Sequence, residues 1–157
     1  MQPDRRRFLA AAGAVVLAGR SAVSIAASRF PVEHSPEEWR RILGAQRFAV
    51  LRESSTERPF TSPLLNEHRR GTFFCAGCSN ALFSSATKFE SGTGWPSFWT
   101  CLPKAVVTRD DRSLMMDRTE VLCARCGGHL GHVFRDGPKP TGLRYCINGL
   151  ALNFRAS

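Results

Sequence analysis

The spacing of apolar positions changes once along this chain. Ser35-Pro36-Glu37-Glu38 precedes Trp39, Ile42 and Leu43, whose three- and four-residue spacing puts them on one helical face. Ser35 can cap, Pro36 suits a first helical position where its missing N–H is not needed, and Glu38 completes a capping box. This predicts a short N-terminal helix stopped by Gly44. From Phe48 onward, short apolar runs alternate with turn residues. The runs are Phe48–Leu51, Gly71–Phe74, Ala81–Phe83, Ala105–Thr108, Ser113–Met116, Glu120–Leu122, Val133–Phe134, Tyr145–Ile147 and Ala151–Phe154, with Gly and Pro between them. Such a pattern predicts a small, mainly β domain of short antiparallel strands. The stretch Glu53–Arg70 is polar and is expected to be an irregular loop. No segment repeats except two similar knuckles, Cys75-Ala-Gly-Cys78 and Cys123-Ala-Arg-Cys126.

Composition sharpens this picture at the N-terminus. The 157 residues suffice for one domain with a core, and the formal charge is +9. Arg5, Arg6, Arg7 and Arg20 against Asp4 concentrate part of that charge in residues 1–27. Elsewhere Arg and Lys are scattered with no aromatic ladder, which favours a basic soluble surface over nucleic-acid binding. Residues 1–27 have the layout of a signal peptide: a basic head, an apolar run from Phe8 to Gly19, then Ser24-Ile25-Ala26-Ala27. The apolar run falls short of the roughly 20 residues that span a bilayer. Arg-Arg followed by Phe-Leu resembles a twin-arginine signal, which exports folded proteins. Twin-arginine export ranks first, Sec export second and an uncleaved anchor third. The expected organisation is a signal peptide over 1–27 and one domain over 28–157. The expected location is periplasmic or otherwise exported, with no stable membrane insertion after cleavage.

Six cysteines carry the chemistry. Cys75/Cys78 and Cys123/Cys126 form two Cys-x-x-Cys pairs separated by 44 residues. Four thiolates suit a tetrahedral zinc ion and leave no open position for water, so the site is expected to be structural. Two disulfides, or one redox-active Cys-x-x-Cys, are the alternatives; a histidine replacing one cysteine ranks below them. Zinc loading needs reduced thiols, which folding before export would supply.

Cys146 lies in Leu143-Arg144-Tyr145-Cys146-Ile147-Asn148-Gly149. In a strand, Arg144 and Asn148 share its face, while Tyr145 and Ile147 point into the core. A cation and an amide beside a thiol suit thiolate formation, although a lone strand cysteine is commonly buried filler. His129 and His132 flank Gly131 and offer proton donors. Ser91-Gly-Thr-Gly-Trp-Pro-Ser-Phe98 presents Trp95 as a flat apolar wall or as a buried core indole.

Together these motifs, with Arg144-Tyr-Cys-Ile-Asn148, resemble the B-type methionine sulfoxide reductases over roughly residues 35–155. The resemblance implies two small antiparallel sheets and one structural Zn2+ per chain held by Cys75, Cys78, Cys123 and Cys126. It also implies a peptide-methionine (R)-S-oxide reductase, which repairs oxidised proteins. Cys146 then falls at the nucleophile, His132 at the proton donor, and His129 at a second polar position. Asn148 falls near the sulfoxide oxygen and Trp95 against the substrate methyl group. Arg144 is expected to assist the thiol and the substrate. The expected partners are proteins containing methionine sulfoxide and a thioredoxin-like reductant, with no nucleic acid, and the chain is expected to be a monomer. Many members carry a recycling cysteine where this sequence has Thr93. Cys101 is the remaining thiol. Either it resolves a Cys146 sulfenic acid or an external thiol attacks directly.

Overall fold

The structure, a computed structural model, describes residues 30–112 and 118–157. The expected signal peptide and the run Ser113–Met116 lie outside the described residues.

Helix α1 spans Pro36–Glu53 and starts as its capping chemistry requires. Ser35 Oγ accepts from Glu38 N at 3.2 Å, and Ser35 N donates to Glu38 Oε2 at 3.0 Å. Gly44 does not end it. At φ +68° and ψ 172° it makes a kink, after which the helix resumes. Phe48–Leu51, expected as a strand, is therefore helical, and buries Phe48, Val50 and Leu51. A four-residue apolar run has no period of its own, and the helix formers around it (Ala45, Gln46, Arg47, Arg52, Glu53) decide its state. Arg52 anchors the helix end by donating from Nη1 to the Cys126 carbonyl at 2.9 Å.

Among the described residues nine strands follow: β1 (Gly71–Cys75), β2 (Ala81–Ser84), β3 (Lys88–Phe89), β4 (Ser97–Phe98), β5 (Val106–Asp111), β6 (Arg118–Cys123), β7 (His129–Phe134), β8 (Arg144–Ile147) and β9 (Leu152–Ala156). They make two antiparallel sheets, ordered β2-β1-β9 and β3-β4-β8-β7-β6-β5. The expected mainly β class with two small antiparallel sheets is what the chain adopts. Strands β3 and β4 have two residues each, too short to leave an alternating pattern. Strand β7 begins four residues before the apolar pair Val133–Phe134, at His129.

An aromatic cluster joins the two sheets. Phe73 of β1 meets Phe98 of β4 edge-on, with centroids 4.9 Å apart, and Phe83 of β2 stacks on Phe98 at 4.4 Å. All three rings are fully buried, each contributing about 1.5–3 kcal/mol over exposure. Gly131 lets β7 and β8 close together. A Cβ there would stand 2.1 Å from the Cys146 carbonyl oxygen, so a side chain at this position would separate the two strands that carry the candidate chemistry.

Candidate active site and metal cage

Each knuckle has the same local build. Cys75 closes β1 and Cys123 closes β6, and each carbonyl accepts from the residue four places on (Ser79 N and Gly127 N) at 2.9 Å. Cys75 N donates to Asn80 O at 2.8 Å, and Cys123 N to Gly128 O at 2.9 Å. Two matched turns thus aim four sulfurs at one point, all within 4.8 Å of one another. Sγ separations are 3.7 Å for Cys75–Cys126 and 3.5 Å for Cys78–Cys123. A disulfide requires about 2.05 Å, whereas a tetrahedron of sulfurs about 2.3 Å from zinc has edges of about 3.8 Å. The spacing matches a metal cage and not disulfides. Neighbouring Cys123 pushes the Cys75 and Cys126 thiols far up, while Cys78 and Cys123 are held down; four negative charges this close together need a cation. Among the described residues no histidine joins this group.

Cys146 sits on β8 between β4 and β7. Ser97 faces it from one side and His132 from the other, both as direct register partners. Tyr145 and Ile147 turn to the core, as the two-residue period requires: Ile147 is fully buried and Tyr145 lies against Phe83. Around Cys146 is a cavity of about 150 Å³, lined also by Thr56, Trp95, Arg118, Gly131, His132, Phe134 and Asn148. A larger cavity of about 640 Å³, between α1, residues 55–64 and β9, contains no cysteine or histidine and shares only Thr56 with it.

Four expected residues, Cys146, His132, Trp95 and Asn148, therefore meet at one cavity. Asn148 does so by a different route from the one expected. It lies beyond β8, at the head of a 3-10 turn, so the strand-face argument does not place it. Its Oδ1 accepts from Glu57 N at 3.0 Å and its Nδ2 donates to Leu130 O at 3.1 Å. The Trp95 indole is fixed as well, its Nε1 donating to the Glu57 carbonyl at 3.1 Å. Glu57, 8% exposed, accepts from the Gly149 and Leu150 amides. One buried residue of the expected irregular loop thus positions both Trp95 and Asn148. Its only sequence signal was a carboxylate in a polar stretch.

Both histidines have acidic partners that the sequence did not reveal. His129, 3% exposed, bonds Glu120 Oε1 through Nδ1 at 2.6 Å. Burial holds the His129 imidazole below its usual pKa, against the opposing pull of Glu120. Burial also pushes Glu120 up, but hydrogen bonds from Arg109 and His129 outweigh it and leave the carboxyl below its usual range. His132 bonds Asp111 Oδ2 through Nε2 at 2.8 Å, and the same oxygen accepts from Arg118 at 2.8 Å. The His129 and His132 rings meet edge-on, 5.5 Å apart. Within this cavity only His132 of the two is a lining residue.

Burial pushes the Cys146 thiol up, and the Thr93 hydroxyl and Arg144 pull it partly back. Arg144 is near Cys146 as expected, yet its fork is taken by Asp136, with Nε–Oδ1 2.9 Å and Nη2–Oδ2 2.7 Å. It is not a lining residue of the cavity, so its expected contact with substrate has no support from the geometry. Cys101 lies with its Sγ 4.0 Å from Tyr145 Oη. Tyr145 and Cys146 point to opposite faces of β8, so Cys101 lies on the far side of the sheet from the candidate nucleophile.

The chain matches the SelR domain over residues 43–156. It is 59% identical over 119 residues to the peptide methionine sulfoxide reductase MsrB of Bradyrhizobium diazoefficiens, covering 75% of this chain and 86% of the relative. The MsrB of Methanosarcina barkeri is 54% identical over 125 residues, 79% of this chain and 88% of the relative. That of Leptospira interrogans is 50% identical over 127 residues, 80% and 97% respectively. With the domain model spanning most of the chain and relatives matched over nearly their whole length, the chain belongs to the SelR-domain family of B-type methionine sulfoxide reductases.

Proposed function

We propose that the chain is a peptide-methionine (R)-S-oxide reductase acting on oxidised proteins, with Cys146 as nucleophile. The observation that carries this is the direct opposition of Cys146 and His132 across two strands, at a small cavity walled by Trp95. The Cys146 thiolate attacks the sulfoxide sulfur while His132 gives a proton to its oxygen. Oxygen passes to Cys146: thiol plus sulfoxide becomes sulfenic acid plus thioether, a two-electron exchange that balances. Trp95 holds the S-methyl group and so tells methyl from oxygen. Asn148 keeps the loop carrying Glu57 in register and faces the sulfoxide. His129, kept neutral by burial, supports the His132 ring. Two thiols of a thioredoxin-like protein then reduce the sulfenic acid, giving a disulfide, water and the Cys146 thiol. With Cys101 across the sheet, the external thiol attacks Cys146 directly. With separated epimers, the R sulfoxide of a methionine peptide should be consumed and the S epimer left. Consumption of S alone would overturn the assignment.

Asp111 is a positioning residue in this scheme. In the doubly protonated ring the Asp111 carboxylate accepts the Nε2–H, and the Nδ1–H is the proton given to the sulfoxide oxygen. Asp111→Asn should lower kcat by about 10- to 100-fold with KM little changed, and Asp111→Glu should recover part of it. An unchanged kcat would remove Asp111 from the mechanism.

The four cysteines are proposed to hold one Zn2+, whose role is to tie the two knuckles together; it takes no part in the reaction. The protein is proposed to act as an exported monomer, in the periplasm or its equivalent, after twin-arginine transport. A reporter fused to residues 1–30 should stay in the cytosol when Arg5, Arg6 and Arg7 become Lys. Normal export of that fusion would exclude the route.

A further inference from the structure

Thr93 stands where many members of the family have a recycling cysteine, and its side chain is not isolated. Ser97, 1% exposed and the register partner of Cys146, donates from Oγ to the Trp95 carbonyl at 3.1 Å. Its oxygen lies 2.7 Å from Ser91 Oγ, which lies 2.8 Å from Thr93 Oγ1. Thr93 Oγ1 is 3.8 Å from Cys146 Sγ. We propose that these three hydroxyls form a reversible hydrogen-bond chain in which Thr93 accepts from the Cys146 thiol and donates to its thiolate. The proposal rests on Cys146 being the nucleophile.

The direction of the chain follows from counting protons. Each hydroxyl has one to give. With the Ser97 proton on the Trp95 carbonyl, Ser97 accepts from Ser91 and Ser91 accepts from Thr93. Thr93 is then left as an acceptor, which suits a thiol. A thiolate has no proton to give, so the three rotors turn: Ser97 donates to Ser91, Ser91 to Thr93, and Thr93 to the sulfur. No proton travels along the chain; the thiol proton leaves through the cavity. The weak S–H bond to Thr93 and the neutral bond to the Trp95 carbonyl are exchanged for one charge-assisted bond to sulfur, the stronger kind. The chain is anchored on the residue that walls the substrate pocket, so the state of the nucleophile and the hold on Trp95 are linked.

Other charged or titratable groups also face Cys146: Arg144 on its own strand with Asp136, His132 from β7, and Arg118 across the cavity with Asp111. Arg144 acts by its charge and its own hydrogen bond and the others through space; none depends on hydroxyl protons, so substitutions along the chain separate the two influences. The measurement is the pH dependence of Cys146 alkylation by iodoacetamide in the full, metal-loaded chain, followed on the Cys146 peptide by mass spectrometry. Thr93→Val keeps the shape and removes the donor. It should raise the apparent Cys146 pKa by about one unit, or about tenfold slower alkylation near neutral pH. Thr93→Ser should follow the parent. Ser91→Ala should act in the opposite sense. With no acceptor behind it, Thr93 is free to donate to sulfur, and neutral-pH alkylation should be faster than in the parent. Unchanged alkylation in Thr93→Val, or slowing in Ser91→Ala, would overturn the chain. Survival of R-sulfoxide reduction in Cys146→Ser would instead overturn the catalytic reading on which it rests, whatever the alkylation shows.

Discussion

Cys146→Ser is expected to lose R-sulfoxide reduction by on the order of 10⁴-fold or more in kcat/KM. A serine hydroxyl stays protonated at any working pH, and its oxygen cannot take up the substrate's oxygen as sulfur does. Nothing structural should accompany the loss. The side chain borders a cavity, differs by one atom, and still finds Thr93 as a partner. The check is a single-turnover assay on the separated R epimer, run beside a thermal melt that should match the parent. Residual activity within about 100-fold of the parent would place the nucleophile elsewhere. The parent should also show a rate that rises with pH. Burial lifts the Cys146 pKa above its usual value, so the reactive thiolate is the minor form near neutral pH and accumulates as pH climbs through the raised value. The serine variant should lack that limb.

How far this site was legible depends on how local each cause was. The knuckles were legible because Cys-x-x-Cys brings two sulfurs together within one turn, and both turns repeat the same backbone bonds. The helix start was legible because Ser35 and Glu38 act over three residues. Its continuation was not, because Gly44 signals both a stop and a kink, and tertiary packing of Phe48, Val50 and Leu51 decides between them. The face-sharing rule placed Arg144 beside Cys146. It could not show that Asp136, eight residues earlier, takes the guanidinium fork. The same rule failed for Asn148, where the chain has already left the strand and the amide serves backbone partners. Glu57, Asp111 and Glu120 left no signal beyond being carboxylates. Their importance comes from which strand or loop folds against them, and a lone carboxylate in a polar stretch is indistinguishable from a solvated one. Cys101 illustrates the converse. It is 45 positions from Cys146 in sequence, but only the facing of Tyr145 shows that a sheet lies between the two thiols.

Removing the metal proposed for the four-cysteine cage is expected to unfold the protein outright. The cage joins Cys75, at the end of a strand in the three-stranded sheet, to Cys123, at the end of a strand in the six-stranded sheet. The Cys126 carbonyl in turn holds the end of α1 through Arg52. Structural zinc contributes about 10–16 kcal/mol to folding at neutral pH, as much as or more than the about 5–15 kcal/mol of net stability typical of a whole domain. Without the cation, three buried sulfurs and one half-buried sulfur within 4.8 Å of one another repel when ionised and keep only weak sulfur hydrogen bonds when protonated. A strong chelator should therefore release one zinc per chain and abolish the cooperative melt, and Cys126→Ser should be isolated without stoichiometric metal. The active cavity contains none of the four ligands, so activity should fall in step with unfolding, and the fraction still folded should keep its parent kcat. A metal-free chain that melts at the parent temperature would show that the aromatic core alone holds the sheets together.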